Sequence, residues 1–224
     1  MMQERGDFLI IHEPFSHVTD FGEASVGARQ AHSEAEVIGE LMRLSQQGQP
    51  VFFKDTTDFR YPGLLADRAF LRLLTHVFII RDPAAAIASH YQVNPNLRRD
   101  EIGFAWLHEI FESARAATGT MPLVIDADEL VADPATIIRA CCARIGIPFL
   151  PGPLRWAPRM DEQWRRTARW HASVSASSGF EPARPGQGGD VARHPVLSEY
   201  LRYHQPYYRK MHDLRLRPEP AVGA

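Results

Sequence analysis

Arg81-Asp82-Pro83-Ala84-Ala85-Ala86-Ile87-Ala88-Ser89-His90-Tyr91 follows the apolar run His76-Val77-Phe78-Ile79-Ile80, and this junction decides how the chain is read. The β-branched run has the composition of a buried parallel strand. Arg81 therefore stands at the strand's C-terminal end. Pro83 opens the next helix, because a first-turn position needs no N–H. Ser89 falls about two turns along that helix. A fixed cationic fork and a neutral hydroxyl facing one crevice suit a phosphate group. Open α/β sheets hold their ligands at the carboxyl ends of the strands.

Three more apolar runs read as strands, and each meets charge. Phe8-Leu9-Ile10-Ile11 runs into His12-Glu13, Val51-Phe52-Phe53 into Lys54-Asp55, and Leu123-Val124-Ile125 into Asp126. Helical patterns separate them. Ser33-Glu34-Ala35-Glu36 is a capping box ahead of Val37, Ile38, Leu41, Met42 and Leu44. Pro62 opens a helix carrying Leu64, Leu65, Phe70, Leu71 and Leu74, and an amphipathic segment runs from about Glu101 to Thr118. Asp133-Pro134 is an N-cap with a first-turn proline, for a helix ending near Gly146. Strands alternating with helices predict an α/β fold, with a central, mostly parallel sheet flanked by helices. That topology places Glu13, Lys54, Arg81 and Asp126 along one sheet edge. The expectation is one domain over residues 1–224, with 181–224 forming a loop and a C-terminal helical segment. The Pro- and Gly-rich stretch from Glu181 to Asp190 supplies the loop, and the segment from about Pro195 to Leu214 carries aromatics at helical spacing, read as packing.

Composition narrows the class. With 45% apolar and 23% charged residues, the chain reads as an ordinary globular protein. No apolar run reaches membrane-spanning length, and the first residues lack the apolar core of a signal peptide. Cys141 and Cys142 are adjacent on a predicted helix and form neither a disulfide framework nor a metal site, so a reducing cytoplasm is expected. Residues 1–150 hold 13 basic and 20 acidic residues, whereas 151–217 hold 12 and 6. The basic C-terminal third either docks on the acidic remainder or helps hold a polyanionic ligand. The excess is too small for nucleic acid, and no nucleic-acid module occurs. Only two of the 25 cations are lysines, which sets Lys54 apart.

The spacing of Arg81, Pro83, Ser89 and Tyr91 resembles the 3′-phosphate-binding segment of the sulfotransferase family, whose donor is 3′-phosphoadenosine 5′-phosphosulfate (PAPS). Leu123 to Pro134, followed by Ile145-Gly146-Ile147-Pro148-Phe149, resembles a second family segment. His12-Glu13-Pro14-Phe15 resembles a strand end at which several branches place a catalytic glutamate. Phe53-Lys54-Asp55 resembles a strand end where carbohydrate-acting branches place a lysine near the transferred group. Trp170 to Phe180 resembles the late Ser-Gly-Phe loop of a bacterial subgroup that also carries His-Glu-Pro-Phe. The resemblance implies a P-loop-like sulfotransferase fold. It also implies transfer from PAPS, as co-substrate, to a hydroxyl or amine of a small molecule. The family's N-terminal 5′-phosphosulfate loop has no counterpart in this sequence, and no Walker-type Gly-x-x-x-x-Gly-Lys-Ser/Thr occurs. The chain is accordingly expected to be weak in turnover and prone to self-association as a homo-oligomer.

Sulfuryl transfer needs a base, cations on the developing charge and a fixed nucleotide, but no metal. Glu13 is the expected base, with a pKa raised by desolvation between Ile11 and Phe15; His12 and His17 are its rivals. Strand alternation would turn His12 and Glu13 to opposite sides. Lys54 is the expected cation on the sulfuryl or bridging oxygen. Arg81 and Ser89 are the expected 3′-phosphate ligands. Asp126, Asp128 and Glu129 hold loops or orient Arg81. No metal cluster is expected, and the acceptor pocket is assigned to loops 14–32 and 151–190. Two alternatives stand beside this reading: a non-catalytic remnant that binds a nucleotide or partner, and a P-loop-class nucleotide-dependent kinase.

Overall fold

The four apolar runs all form strands, and they pair in parallel. In chain order the strands are β1 (Leu9–His12), β2 (Ala24–Val26), β3 (Arg29–Ala31), β4 (Val51–Lys54), β5 (Val77–Ile80) and β6 (Leu123–Asp126). The computed structural model describes residues 1–48, 50–181 and 190–218. The loop expected from Glu181 to Asp190 lies, apart from its two end residues, outside the described residues. β1 pairs with β4 from Leu9↔Val51 to His12↔Lys54, and β5 with β6 from Val77↔Leu123 to Ile80↔Asp126. The architecture is α/β, with parallel strands flanked by helices. Among the described residues these strands form two ladders of two rather than one continuous sheet.

Each ladder has its own core. Ile11 of β1 packs with Phe15, Val37, Leu41, Tyr61, Phe70 and Leu71. Phe78 and Ile80 of β5 and Val124 of β6 pack with Phe111, Ala114 and Met211. The helix Phe104–Thr118 ties the two together, because Ile110 touches both clusters. Ile125, on the opposite face of β6 from Val124, packs instead on Ile137, Ile138, Cys141 and Cys142 of the helix Pro134–Ile145. Both cysteines are free and buried.

Most helix signals hold, with local corrections. The Asp133 carboxylate accepts from the Thr136 N–H at 3.1 Å, and Gly146 closes the helix at φ 77°. Ser33 accepts from the Glu36 N–H, but the Glu36 carboxylate reaches back to the His32 N–H rather than to that of Ser33. The helix expected after Pro62 is two helices, Pro62–Ala66 and Arg68–Leu73. Asp67 breaks it by accepting from the Phe70 N–H at 2.9 Å, as an N-cap does. Residues 14–32, assigned to a loop, instead fold as the helix Pro14–Phe21 and the hairpin β2–β3, with Gly27 taking the positive φ that its two-residue loop needs. The basic C-terminal third does dock on acidic groups. Arg159 pairs with Glu4, Arg166 with Glu23, and Arg215 with Glu129. The last helix, Leu197–Asp213, uses its aromatics for packing. His204 is fully buried, with Nε2 at 2.7 Å from the Arg99 carbonyl, and Tyr203 lies under the Arg99 guanidinium. Among the described residues no helix is long and apolar enough to cross a membrane.

Gly103 sits between a short 3₁₀ turn (Arg99–Ile102) and the helix Phe104–Thr118 at φ 80°. A Cβ there would lie 2.5 Å from the Thr57 carbonyl oxygen. Both the backbone angle and the contact exclude a side chain. Gly103→Ala is expected to lower stability by about 2–4 kcal/mol, read by thermal unfolding; an unchanged midpoint would show that the 99–103 turn relaxes freely.

Candidate active site

The register of β1 and β4 sets His12 opposite Lys54, so the next residues, Glu13 and Asp55, leave the ladder side by side. Asp55 then does what a cap does for a neighbouring element. Its carboxylate accepts from the Phe15 N–H at 2.8 Å and the Ser16 N–H at 3.0 Å, fixing the start of the helix Pro14–Phe21. Complete burial nonetheless pushes the Asp55 pKa up to about 7. Glu13 is thereby free of capping duty, although it occupies the cap position.

Glu13 is the only described non-glycine residue with positive φ, at φ 48° and ψ 48°. This left-handed turn ends the strand alternation. It corrects the expectation that His12 and Glu13 face opposite sides, since His12 Nε2 lies 3.4 Å from Glu13 Oε2. Such a backbone costs roughly 1–2 kcal/mol for an L-residue and persists where its surroundings over-determine it. Lys54 Nζ donates to the other carboxylate oxygen, Oε1. Lys54 thus pairs with the expected base and not with Asp55 or Asp82. His17, one turn along the helix, brings Nε2 to 4.0 Å from Oε2, and that nitrogen is buried with no hydrogen-bond partner.

The pair resets the electrostatics. Burial is the largest single influence on Glu13 and raises its pKa, as expected from the sequence. The attraction of Lys54, together with His12 and the Lys54 hydrogen bond, outweighs burial and leaves the pKa below 4.5. Glu13 is ionised at neutral pH. Burial lowers the His12 pKa to about 4 and also lowers those of His17 and His171, so none is the cation of the site at pH 7.

The helix Ala168–Ala176 supplies what the sequence reading missed. His171 Nε2 lies 3.3 Å from His12 Nε2, and Trp164 stacks on the His171 ring at 5.1 Å. The preceding residue, Trp170, meets His90 edge-on at 4.7 Å. His90 follows Ser89 on the helix Pro83–Val93. One helix therefore touches both the Glu13 end of β1–β4 and the helix that follows β5. Ligand atoms of His12, Glu13 and His171 all lie within 4.8 Å of one another, a grouping that the expectation of no metal cluster did not foresee. His17 carried a legible signal, an i,i+4 spacing from Glu13 across Pro14. His171 carried none beyond its place in the Trp170–Phe180 stretch.

At the other ladder, Arg81 leaves the end of β5 half-buried, and Ser89 lies half-buried on the helix that Asp82 caps through the Ala85 N–H. Among the described residues, neither side chain has a hydrogen-bond or ion-pair partner. Asp126 does not orient Arg81. It accepts from the Asp128 and Glu129 N–H groups and from the Tyr208 hydroxyl, capping the helix Ala127–Ala132.

The chain is 38% identical over 106 residues to branched-chain-amino-acid aminotransferase-like protein 1 of Arabidopsis thaliana, covering 47% of this chain and 19% of that protein. It is 33% identical over 128 residues to branched-chain-amino-acid aminotransferase-like protein 2 of the same plant, covering 56% and 22%. The chain thus spans about a fifth of the length of these relatives. The solved sulfotransferase domain from the curacin biosynthetic pathway aligns with 82% of this chain and 63% of its own, at 14% identity and a TM-score of 0.35. A sulfotransferase-domain family model matches residues 2–214, from the first helix to the end of the last, and the chain belongs to that family.

Proposed function

We propose that this domain transfers the sulfuryl group of PAPS to a hydroxyl or amine of a small molecule. The observation that carries this reading is the Glu13–Lys54 pair at the end of β1–β4, an ionised base held against an ammonium. The acceptor's oxygen or nitrogen attacks sulfur, and its proton passes to the Glu13 carboxylate. The sulfur–oxygen bond to the 5′-phosphate breaks, and adenosine 3′,5′-bisphosphate leaves with the electron pair. The Lys54 side chain is half exposed and can leave Glu13 for the sulfuryl oxygens when the polyanionic donor arrives. That shift places the cation on the developing charge. It also leaves Glu13 buried without its counter-charge, which raises its affinity for the acceptor's proton. Arg81 and Ser89 fit a 3′-phosphate, since both are half-buried polar groups with no protein partner among the described residues.

The test is turnover. Full-length protein incubated with PAPS and a panel of small alcohols, phenols and amines is expected to release adenosine 3′,5′-bisphosphate in step with a sulfated product. Release that no acceptor stimulates would overturn the assignment. Binding separates the nucleotide part of the proposal. Calorimetry is expected to give tighter binding of adenosine 3′,5′-bisphosphate than of adenosine 5′-phosphate; equal affinities would remove Arg81 and Ser89 from the site.

A further inference from the structure

The Glu13 pocket holds more ligand-type nitrogen than proton transfer uses. Lys54 occupies Oε1 of Glu13, and Oε2 faces the imidazoles. His12 Nε2 lies 3.4 Å from that oxygen and 3.3 Å from His171 Nε2. A tetrahedral zinc ion with bonds of about 2.0–2.1 Å sets its ligand atoms about 3.3–3.4 Å apart. Two edges of such a site are therefore already at length. The third, between the Glu13 carboxylate and the His171 ring, starts from within 4.8 Å and closes by side-chain rotation. His17 Nε2, buried and without a partner, stands 4.0 Å from Oε2 as a candidate for the fourth position.

We propose that His12, Glu13 and His171 form a binding site for a divalent transition metal of the zinc type. Two imidazoles and one carboxylate are a donor set that suits such ions. The second shell is also in place. Trp164 stacks on His171 and tilts against His12, which fixes both rings and limits water. The Gln163 side chain accepts from the His12 N–H, holding the end of β1 to the same segment. The ion replaces two contacts of His171 Nε2, with His12 Nε2 at 3.3 Å and with Thr167 Oγ1 at 3.1 Å. The ligands come from two places far apart in the chain, so an ion there clamps the helix Ala168–Ala176 onto β1. A metal on Oε2 also draws charge from the carboxylate, so occupancy weakens the proposed base. That consequence rests on the sulfuryl-transfer reading, whereas the site itself does not.

The test needs no turnover, so its outcome is independent of the proposed function. Tag-free, chelator-treated protein is titrated with Zn²⁺ by calorimetry, and with Co²⁺ while its visible spectrum is followed. The expected result is saturable one-to-one binding and an intense four-coordinate Co²⁺ spectrum. His171→Ala, checked for folding by circular dichroism, is expected to weaken Zn²⁺ binding by at least about 100-fold. The Co²⁺ spectrum of the unaltered protein covers the case in which the variant fails to fold. Non-saturable binding, a weak six-coordinate Co²⁺ spectrum, or unchanged affinity in folded His171→Ala protein would each overturn the proposal.

Discussion

Glu13→Gln is expected to lower turnover of the full-length protein by about 10²–10⁴-fold while leaving affinity for adenosine 3′,5′-bisphosphate nearly unchanged. The amide keeps the shape of the carboxylate but cannot take the acceptor's proton. The pH profile adds a second reading. In the free protein Lys54 and the neighbouring groups hold the Glu13 pKa below 4.5. The base form is therefore present above that pH and is lost as pH falls through the depressed pKa. The acid limb of kcat/KM is expected below pH 4.5. Lys54→Met removes the counter-charge, leaves burial dominant, and moves that limb upward. An acid limb that survives in Glu13→Gln would hand the role of base to a histidine.

The second large effect concerns the nucleotide. Arg81→Ala is expected to weaken adenosine 3′,5′-bisphosphate by about 2–5 kcal/mol, the usual cost of removing one partner of a desolvated, hydrogen-bonded charge pair. Adenosine 5′-phosphate, which lacks the 3′ group, should bind Arg81→Ala as it binds the unaltered protein. Calorimetry with both nucleotides gives the comparison. An equal loss for the two would mean that Arg81 supports the fold of the crevice rather than reading the 3′-phosphate.

These two predictions draw differently on the sequence. Arg81 and Ser89 were legible because strand, proline-opened helix and hydroxyl follow one another within a few residues. Their placement depends only on local geometry. Glu13 and Lys54 were legible as strand-end charges, but their pairing was not. It follows from the parallel register that sets His12 against Lys54. The pKa argument failed for the same reason. The sequence displays the apolar neighbours that desolvate Glu13, whereas the ammonium that reverses the shift comes from 41 positions away. For Asp126 two roles were open, holding local chain or orienting Arg81; the carboxylate is spent on its own helix cap and on Tyr208, which leaves the local role.

The amino-acid order alone determined the four parallel strands, the capped helices and the charge at each strand end. These are set by side-chain periodicity and by groups a few residues apart, where chain connectivity already enforces proximity. Tertiary structure decided three things. It divided the parallel strands into two ladders, bent Glu13 into a left-handed turn beside His12, and brought His171 to that pair from the far end of the chain. Each depends on packing between segments distant in sequence. The left-handed turn is also one that a glutamate does not favour by itself, and the surrounding contacts hold it there.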